Sequence, residues 1–394
     1  QSPNGQIINH TEKYKMKILW ITTRIIIEDK ERESGTWLKA LANYLLASGE
    51  VALGNVSAKS GIKELTEIKY KNLIQYAIPY QRVNRKGYPG KETKDYLLEV
   101  INIFQPDIIQ VWGSENPFKL LPFTLKVNAE IVLCMQGVLS SMGPNCLRGM
   151  TIYEMLSTIG IREVILGNSI FTEAISFYKL ARLEAEMIRK SKYIITQSEW
   201  TDSQVLPINP NVKLFKTRRV LRSDFYTCEK WESFEHQQPV IFTSSYGYSW
   251  KGLHIFFKAM AIVVSKYPNV KIIIAGRIGR TDILGKGYLR MLINYSKKHN
   301  FYKNVVWAGG LSAPELVKVL QEASVYVNPS YVESFSNAFA EAMLVGTPSV
   351  ISFAGAMPER AVNNVEALYF TPGDYKQCAY KVIKLIENHE LAIE

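Results

Sequence analysis

Short apolar runs alternate with longer stretches of helical periodicity along most of the chain, and that rhythm restricts it to βαβ units built around parallel sheets. In the second half the pattern is regular. Strands are expected near 239–244, 270–275, 304–308, 324–328, 349–353 and 366–370, with helices near 252–266, 285–298, 313–322, 337–345, 358–363 and 374–388. In the first half, strands are expected near 16–22, 51–56, 106–112, 130–135 and 192–196, with a helix over about 36–48. The predicted fold class is α/β, with two Rossmann-like domains at residues 16–222 and 239–394. They are joined by the polar, aperiodic stretch 223–238, and residues 1–15 read as a leader or tag. Residues 146–190 form a helical insertion in the first domain. It carries exposed-looking apolar residues such as Ile152, Leu156, Ile161, Val164 and Ile165.

With 394 residues, the chain is long enough for two cores. Lys and Arg number 47 against 36 Asp and Glu, and the net charge of +11 favours phosphate-bearing partners or an anionic membrane face. The basic residues are dispersed and no nucleic-acid motif is present, so a nucleic-acid partner is not expected; a basic nucleic-acid-binding protein is the rival of another class. Cys134, Cys146, Cys228 and Cys378 lie far apart without paired metal-site spacing. No apolar run approaches the length of a membrane span, and a cytoplasmic protein is expected.

The chemistry concentrates between Pro329 and Glu341. Val325–Pro329 reads as a buried strand, Ser330–Ser336 as a turn, and Asn337–Val345 as a helix closed by Gly346. A helix start beyond the carboxyl end of a parallel strand presents free N–H groups and a positive dipole end, which suits phosphate. Glu341 lies on a helix that is otherwise apolar nearly all round, which implies a buried carboxylate in need of partners. Paired sugar or ribose hydroxyls would satisfy it, and a plain capping glutamate is the blander alternative.

Glu333 and Glu341, seven residues apart within Pro-Ser-Tyr-Val-Glu-Ser-Phe-Ser-Asn-Ala-Phe-Ala-Glu, resemble the Glu-x7-Glu signature of family 4 of the retaining glycosyltransferases, which have the two-Rossmann GT-B fold. The resemblance runs from about Ile241 to Asp374 and includes Trp250-Lys251-Gly252. It implies a donor site in which Glu341 binds nucleotide ribose hydroxyls and Glu333 meets the transferred sugar. The amides around Ser334, Phe335, Ser336 and Asn337 would hold a diphosphate, and Lys251 would neutralise the leaving phosphate. Catalytic roles thus fall to Glu333 and Lys251, with a UDP- or GDP-sugar donor, a saccharide or lipid-linked saccharide acceptor, and no cofactor or obligate metal. A GT-B epimerase or phosphorylase is the alternative within this architecture.

The family's Gly-Arg five residues before the lysine is replaced by Ser245-Tyr246, and Arg277 or Arg280 is the expected substitute for the lost phosphate-binding arginine. In the first half, Ser34 and Gly35 stand where relatives carry a glycine-rich loop facing the donor. Glu115 and Gln136 follow strands and are expected on the acceptor side, although both also read as ordinary strand-end turns. The insertion contains Arg148, Arg162, Lys179 and Arg182, which suits either packing on the domain or peripheral contact with a membrane.

Overall fold

A computed structural model of the chain describes residues 15–26, 36–81, 83–84, 87–232, 238–245, 247–276 and 287–394. Among these, one sheet contains β1 (Met16–Ile21), β2 (Val51–Lys59), β3 (Thr66–Tyr70), β4 (Leu73–Pro79), β5 (Ile108–Trp112), β6 (Glu130–Cys134), β7 (Tyr193–Thr196) and β8 (Lys213–Lys216). A second contains β9 (Val240–Thr243), β10 (Lys271–Ala275), β11 (Val305–Gly309), β12 (Val325–Asn328), β13 (Ser349–Ser352) and β14 (Leu368–Phe370). The expected strands form where the apolar runs lie. The chain gathers into two compact units, one of residues up to Trp112 with Leu121–Val132, the other of Gly113–Leu120 with everything from Leu133 onward.

In the first unit β1 pairs in parallel with β2 on one side and β5 on the other, and β4 continues the parallel order beyond β2. Helix α1 (Thr36–Ala47) follows β1 as expected. Three elements were not anticipated from the sequence: the antiparallel partner β3, its neighbour β4, and helix α2 (Lys91–Phe104). The β3–β4 turn is Lys71-Asn72, with Lys71 in the left-handed region at φ 51°, and lacks the usual glycine signal. Helix α2 buries Leu97, Val100, Ile101 and Phe104, a single stripe at helical spacing.

The helices of the second unit begin, past Leu133, with α3 (Leu139–Asn145), α4 (Ile152–Ser157), α5 (Ile161–Leu166) and α6 (Ile170–Lys190), followed by α7 (Glu199–Val205) and α8 (Asp224–Thr227). Around its six-stranded sheet lie α9 (Leu253–Lys266), α10 (Gly287–Lys298), α11 (Ala313–Glu322), α12 (Asn337–Val345), α13 (Tyr375–Glu387) and α14 (His389–Ile393). The strand order is β11-β10-β9-β12-β13-β14, all parallel, which is the doubly wound order 3-2-1-4-5-6. Its central strands are buried on both faces, which is why they read as unbroken apolar runs. Helix ends follow local chemistry. Glu315 folds back to accept the Ser312 N–H at 2.8 Å, and Gly346, at φ 88°, closes α12.

One helix expected over 358–363 does not form. A short 3-10 turn, Met357–Glu359, takes its place, and the Tyr369 hydroxyl ties the Met357 and Ala361 carbonyls from below. Asn364 then adopts φ 63°, a turn conformation that asparagine tolerates. The aperiodic stretch after Ser223 is packed on this sheet: Phe225 is fully buried, and Trp231 bonds the Val345 carbonyl through its N–H and the Ala323 carbonyl through Nε1.

Gly252 joins the turn after β9 to α9 at φ 73°, and a Cβ there would sit 2.0 Å from the Pro329 carbonyl oxygen. Backbone strain and a main-chain clash act together at that point. Gly252→Ala is expected to cost about 1–3 kcal/mol of stability, read as a lowered midpoint in urea unfolding; an unchanged midpoint would contradict the close approach.

Candidate active site

In the six-stranded sheet the chain order reverses between β9 and β12, so successive connections leave in opposite directions and open a crevice at the strands' carboxyl ends. A cavity of about 290 Å³ lies at that crevice. From β9 come Ser244, Ser245 and the turn carrying Trp250 and Lys251; from β12 come Asn328, Glu333 and Ser334 through Ala338.

Lys251 and Glu333, expected to share the site, meet in it. The ammonium lies 2.7 Å from Glu333 Oε1, and Ser330 Oγ donates to the same oxygen at 2.8 Å. The Lys251 ammonium also sits 4.6 Å above the Trp250 ring. The loop between them is fixed by its backbone. Tyr331 N–H bonds the Trp250 carbonyl at 2.9 Å, Ala356 N–H bonds the Glu333 carbonyl at 2.8 Å, and Ser330 N–H bonds Asn328 Oδ1 at 3.2 Å.

Ser334, Phe335, Ser336 and Asn337 line the cavity, as the sequence leads one to expect. Ser336 holds φ 59° and ψ 82°, a left-handed backbone uncommon for serine. That conformation lets Ser336 Oγ accept the Phe339 N–H at 3.4 Å while receiving Asn328 Nδ2 at 2.9 Å. The N–H groups of Asn337 and Ala338 precede the first intrahelical bond, so the positive end of α12 faces the cavity wall.

Glu341 is buried as expected, but its partner is a side chain. Arg222 grips it with a two-pronged bond, Nε to Oε1 at 2.9 Å and Nη2 to Oε2 at 2.8 Å. Burial raises the Glu341 pKa, and the Arg222 charge opposes that rise. Glu341 is not among the residues that line the cavity.

Two residues missed from the sequence stand out. Arg219 reaches the cavity with its guanidinium bonded to Gln197 Oε1 at 2.8 Å, the Gln136 carbonyl at 3.3 Å and Asn337 Oδ1 at 3.4 Å. Burial lowers its pKa to about 10. The Arg218-Arg219 pair was visible in the chain, but no local pattern tied it to a helix start 118 positions away. Glu184, on α6, accepts the Leu139 N–H at 2.9 Å and the Ser114 hydroxyl, joining the loop after β5 to the start of α3.

Of the remaining expected residues, Gln136 lines the cavity, whereas Glu115 lies outside the lining and pairs with the buried Lys119 at 3.0 Å. Ser34, Gly35, Tyr246, Arg277 and Arg280 lie outside the described residues.

Known proteins resemble this chain in part of its sequence and in its fold. Residues 229–393 match the family model "Glycosyl transferases group 1". The capsular polysaccharide biosynthesis glycosyltransferase CapM of Staphylococcus aureus is 28% identical over 142 residues, covering 36% of this chain and 35% of that protein. The chain spans about a third of the length of the curated relatives it matches. Among solved structures, the sucrose-phosphate synthase of Thermosynechococcus elongatus is similar with a TM-score of 0.70 and 14% identity, covering 96% of this chain and 92% of that one. HepE of Anabaena, solved with UDP and glucose, is similar with a TM-score of 0.64 and 14% identity, over 96% and 92%. At such identity the likeness concerns the fold, which is that of the two-Rossmann GT-B glycosyltransferases.

Burial raises the Glu184 carboxyl from 4.5 to about 7, with the nearby Glu115 charge adding to the rise. Between those values the folded chain keeps a proton that the unfolded chain releases. The stability contributed by the protonated group is therefore complete below about pH 4.5 and lost as pH rises through about 7. Glu184→Gln is expected to flatten the fall of Tm across that window; an unchanged pH profile would remove Glu184 as its source.

Proposed function

We propose that this chain, a member of the group 1 glycosyl transferases, moves a sugar from a UDP- or GDP-sugar to a hydroxyl of a saccharide or lipid-linked saccharide, with retention of anomeric configuration. The observation that carries this reading is the Lys251–Glu333 pair at 2.7 Å beside the N-terminus of α12, in a crevice at the switch point of the sheet.

The arrangement suits that reaction. As the bond from the anomeric carbon to the β-phosphate oxygen breaks, negative charge grows on the departing nucleoside diphosphate. Lys251 and the free N–H groups of α12 are donors suited to that charge, and fixed donors of this kind are worth roughly a hundredfold to a thousandfold in rate each. The acceptor oxygen takes the anomeric carbon from the same face, and its proton passes to the leaving diphosphate. Glu333 accepts hydrogen bonds from hydroxyls of the transferred sugar. Glu341 contributes toward the ribose, since the Arg222 fork engages only part of its lone-pair capacity. In this reading the stretch 223–238 divides an acceptor domain from a donor domain.

A cytoplasmic protein held at the inner membrane face would fit a lipid-linked acceptor and cell-surface polysaccharide synthesis. Among the described residues no helix is long and apolar enough to cross a membrane. Helices α4 and α5 nonetheless expose Ile152, Leu156, Ile161, Val164 and Ile165. Their acidic side is held by Lys258 on Glu154 at 2.8 Å and by Arg290 on Glu163 at 3.1 Å, so the apolar side faces outward. Arg162 within this stretch, and Arg148, Lys179 and Arg182 on either side of it, suit an anionic lipid surface.

A nucleotide-release screen over UDP- and GDP-sugars, with and without saccharide acceptors, identifies the donor. Product formation from donor alone, in the form of an epimer, would favour an epimerase. Glu333→Gln is expected to lower kcat at least a hundredfold while nucleotide binding persists; full activity in this variant would sink the assignment. In co-sedimentation at low salt, the protein is expected to pellet with anionic vesicles. The double variant Ile161→Ser with Ile165→Ser should stay in the supernatant, and equal pelleting of both would exclude this face.

A further inference from the structure

We propose that Arg219, from the segment after β8, is the arginine that binds the donor diphosphate, in place of the residue absent before Lys251. The inference rests on the nucleotide-sugar reading of the site and assigns it a residue from outside the family-matching segment, since Arg219 precedes residue 229.

Three positively polarised groups converge on the one cavity: the Lys251 ammonium, the Arg219 guanidinium, and the α12 N-terminus with the N–H groups of Asn337 and Ala338. Arg219 is bound to the helix start itself, through Asn337 Oδ1, and to the loop after β6 through the Gln136 carbonyl. Gln197 Oε1 fixes its Nε, so the fork is pre-oriented. The guanidinium also lies over the Phe335 ring at 5.3 Å, and Arg360 lies over the same ring at 3.6 Å.

Holding two guanidiniums against one ring has an electrostatic cost. Burial is the first cause of the lowered Arg219 pKa, and the Arg360 charge adds to it, against the attraction of Glu115 and Glu333. An anion entering between Arg219, Lys251 and the helix N-terminus relieves that repulsion. It gains charge-assisted bonds from groups that are already in position, so little ordering is required on binding. The occupant must carry more than one negative charge to engage both cations, and it must be small enough for a cavity of about 290 Å³ that also contains the Glu333 carboxylate. A diphosphate meets the charge requirement, whereas a bare nucleoside, although small, carries no charge for these cations to engage.

The test compares Kd values for UDP, GDP, uridine and guanosine in the wild type, Arg219→Ala and Arg219→Lys, by titration calorimetry on the full chain. In Arg219→Ala the accepted diphosphate should bind roughly tenfold to a hundredfold more weakly, with the Kd of the matching nucleoside unchanged. Arg219→Lys keeps the charge but loses the fork and should fall between the two. A merely structural role would weaken nucleoside and diphosphate alike, and that result, or an unchanged diphosphate Kd in both variants, overturns the inference. If the wild type binds neither UDP nor GDP, the donor reading itself falls and this assignment falls with it.

Discussion

The reversal of strand order between β9 and β12 is the constraint on which the candidate site depends. A parallel sheet covered on both faces has no other edge-free opening, so polar side chains can gather only where neighbouring crossovers diverge. Lys251 and Glu333 are 82 positions apart in the chain and 2.7 Å apart at that point. Gly252 lets the turn bearing Lys251 press against the Pro329 carbonyl, and the loop that follows carries Glu333 back beneath it.

Electrostatics then give the crevice its character. The net charge of +11 is spread over the surface, and by itself it indicates little about where an anion binds. What matters is that an ammonium, a guanidinium and a helix N-terminus are directed at one volume. Neutral groups support each of them, with Asn328 behind Ser336, Gln197 behind Arg219 and the Trp250 ring beneath Lys251, whose ammonium is also paired with the Glu333 carboxylate. The strained backbone of Ser336 belongs to the same device, because its left-handed conformation turns its hydroxyl back to cap α12.

Legibility followed the range of the interactions. The second half was read almost strand for strand, because doubly buried parallel strands leave unbroken apolar runs and capped helices leave local signals such as Ser312 with Glu315 and Gly346. The first half carries weaker signals: β3 and β4 meet through a turn without glycine, although α2 does show an apolar stripe at helical spacing. Where a helix is expected over 358–363 the chain makes a short 3-10 turn, and the Tyr369 hydroxyl from β14 bonds the Met357 and Ala361 carbonyls there, a contact invisible to periodicity.

Glu341 marks the boundary most clearly. Its helix, its burial and its need for partners followed from the apolar residues around it, since a carboxylate on such a helix must be satisfied. That the partner is Arg222, 119 positions earlier, was decided only by the fold. The same holds for Arg219: expectation turned to arginines near in sequence, whereas the guanidinium at the cavity comes from another segment. The sequence by itself determined the α/β class, the strand-loop-helix unit around Glu333 and the presence of Lys251 after a strand, because these rest on spacing within a few turns of chain. The tertiary structure alone decided which charges meet, because ion pairing depends on distance in space, and distance between segments is set by how the sheet is wound.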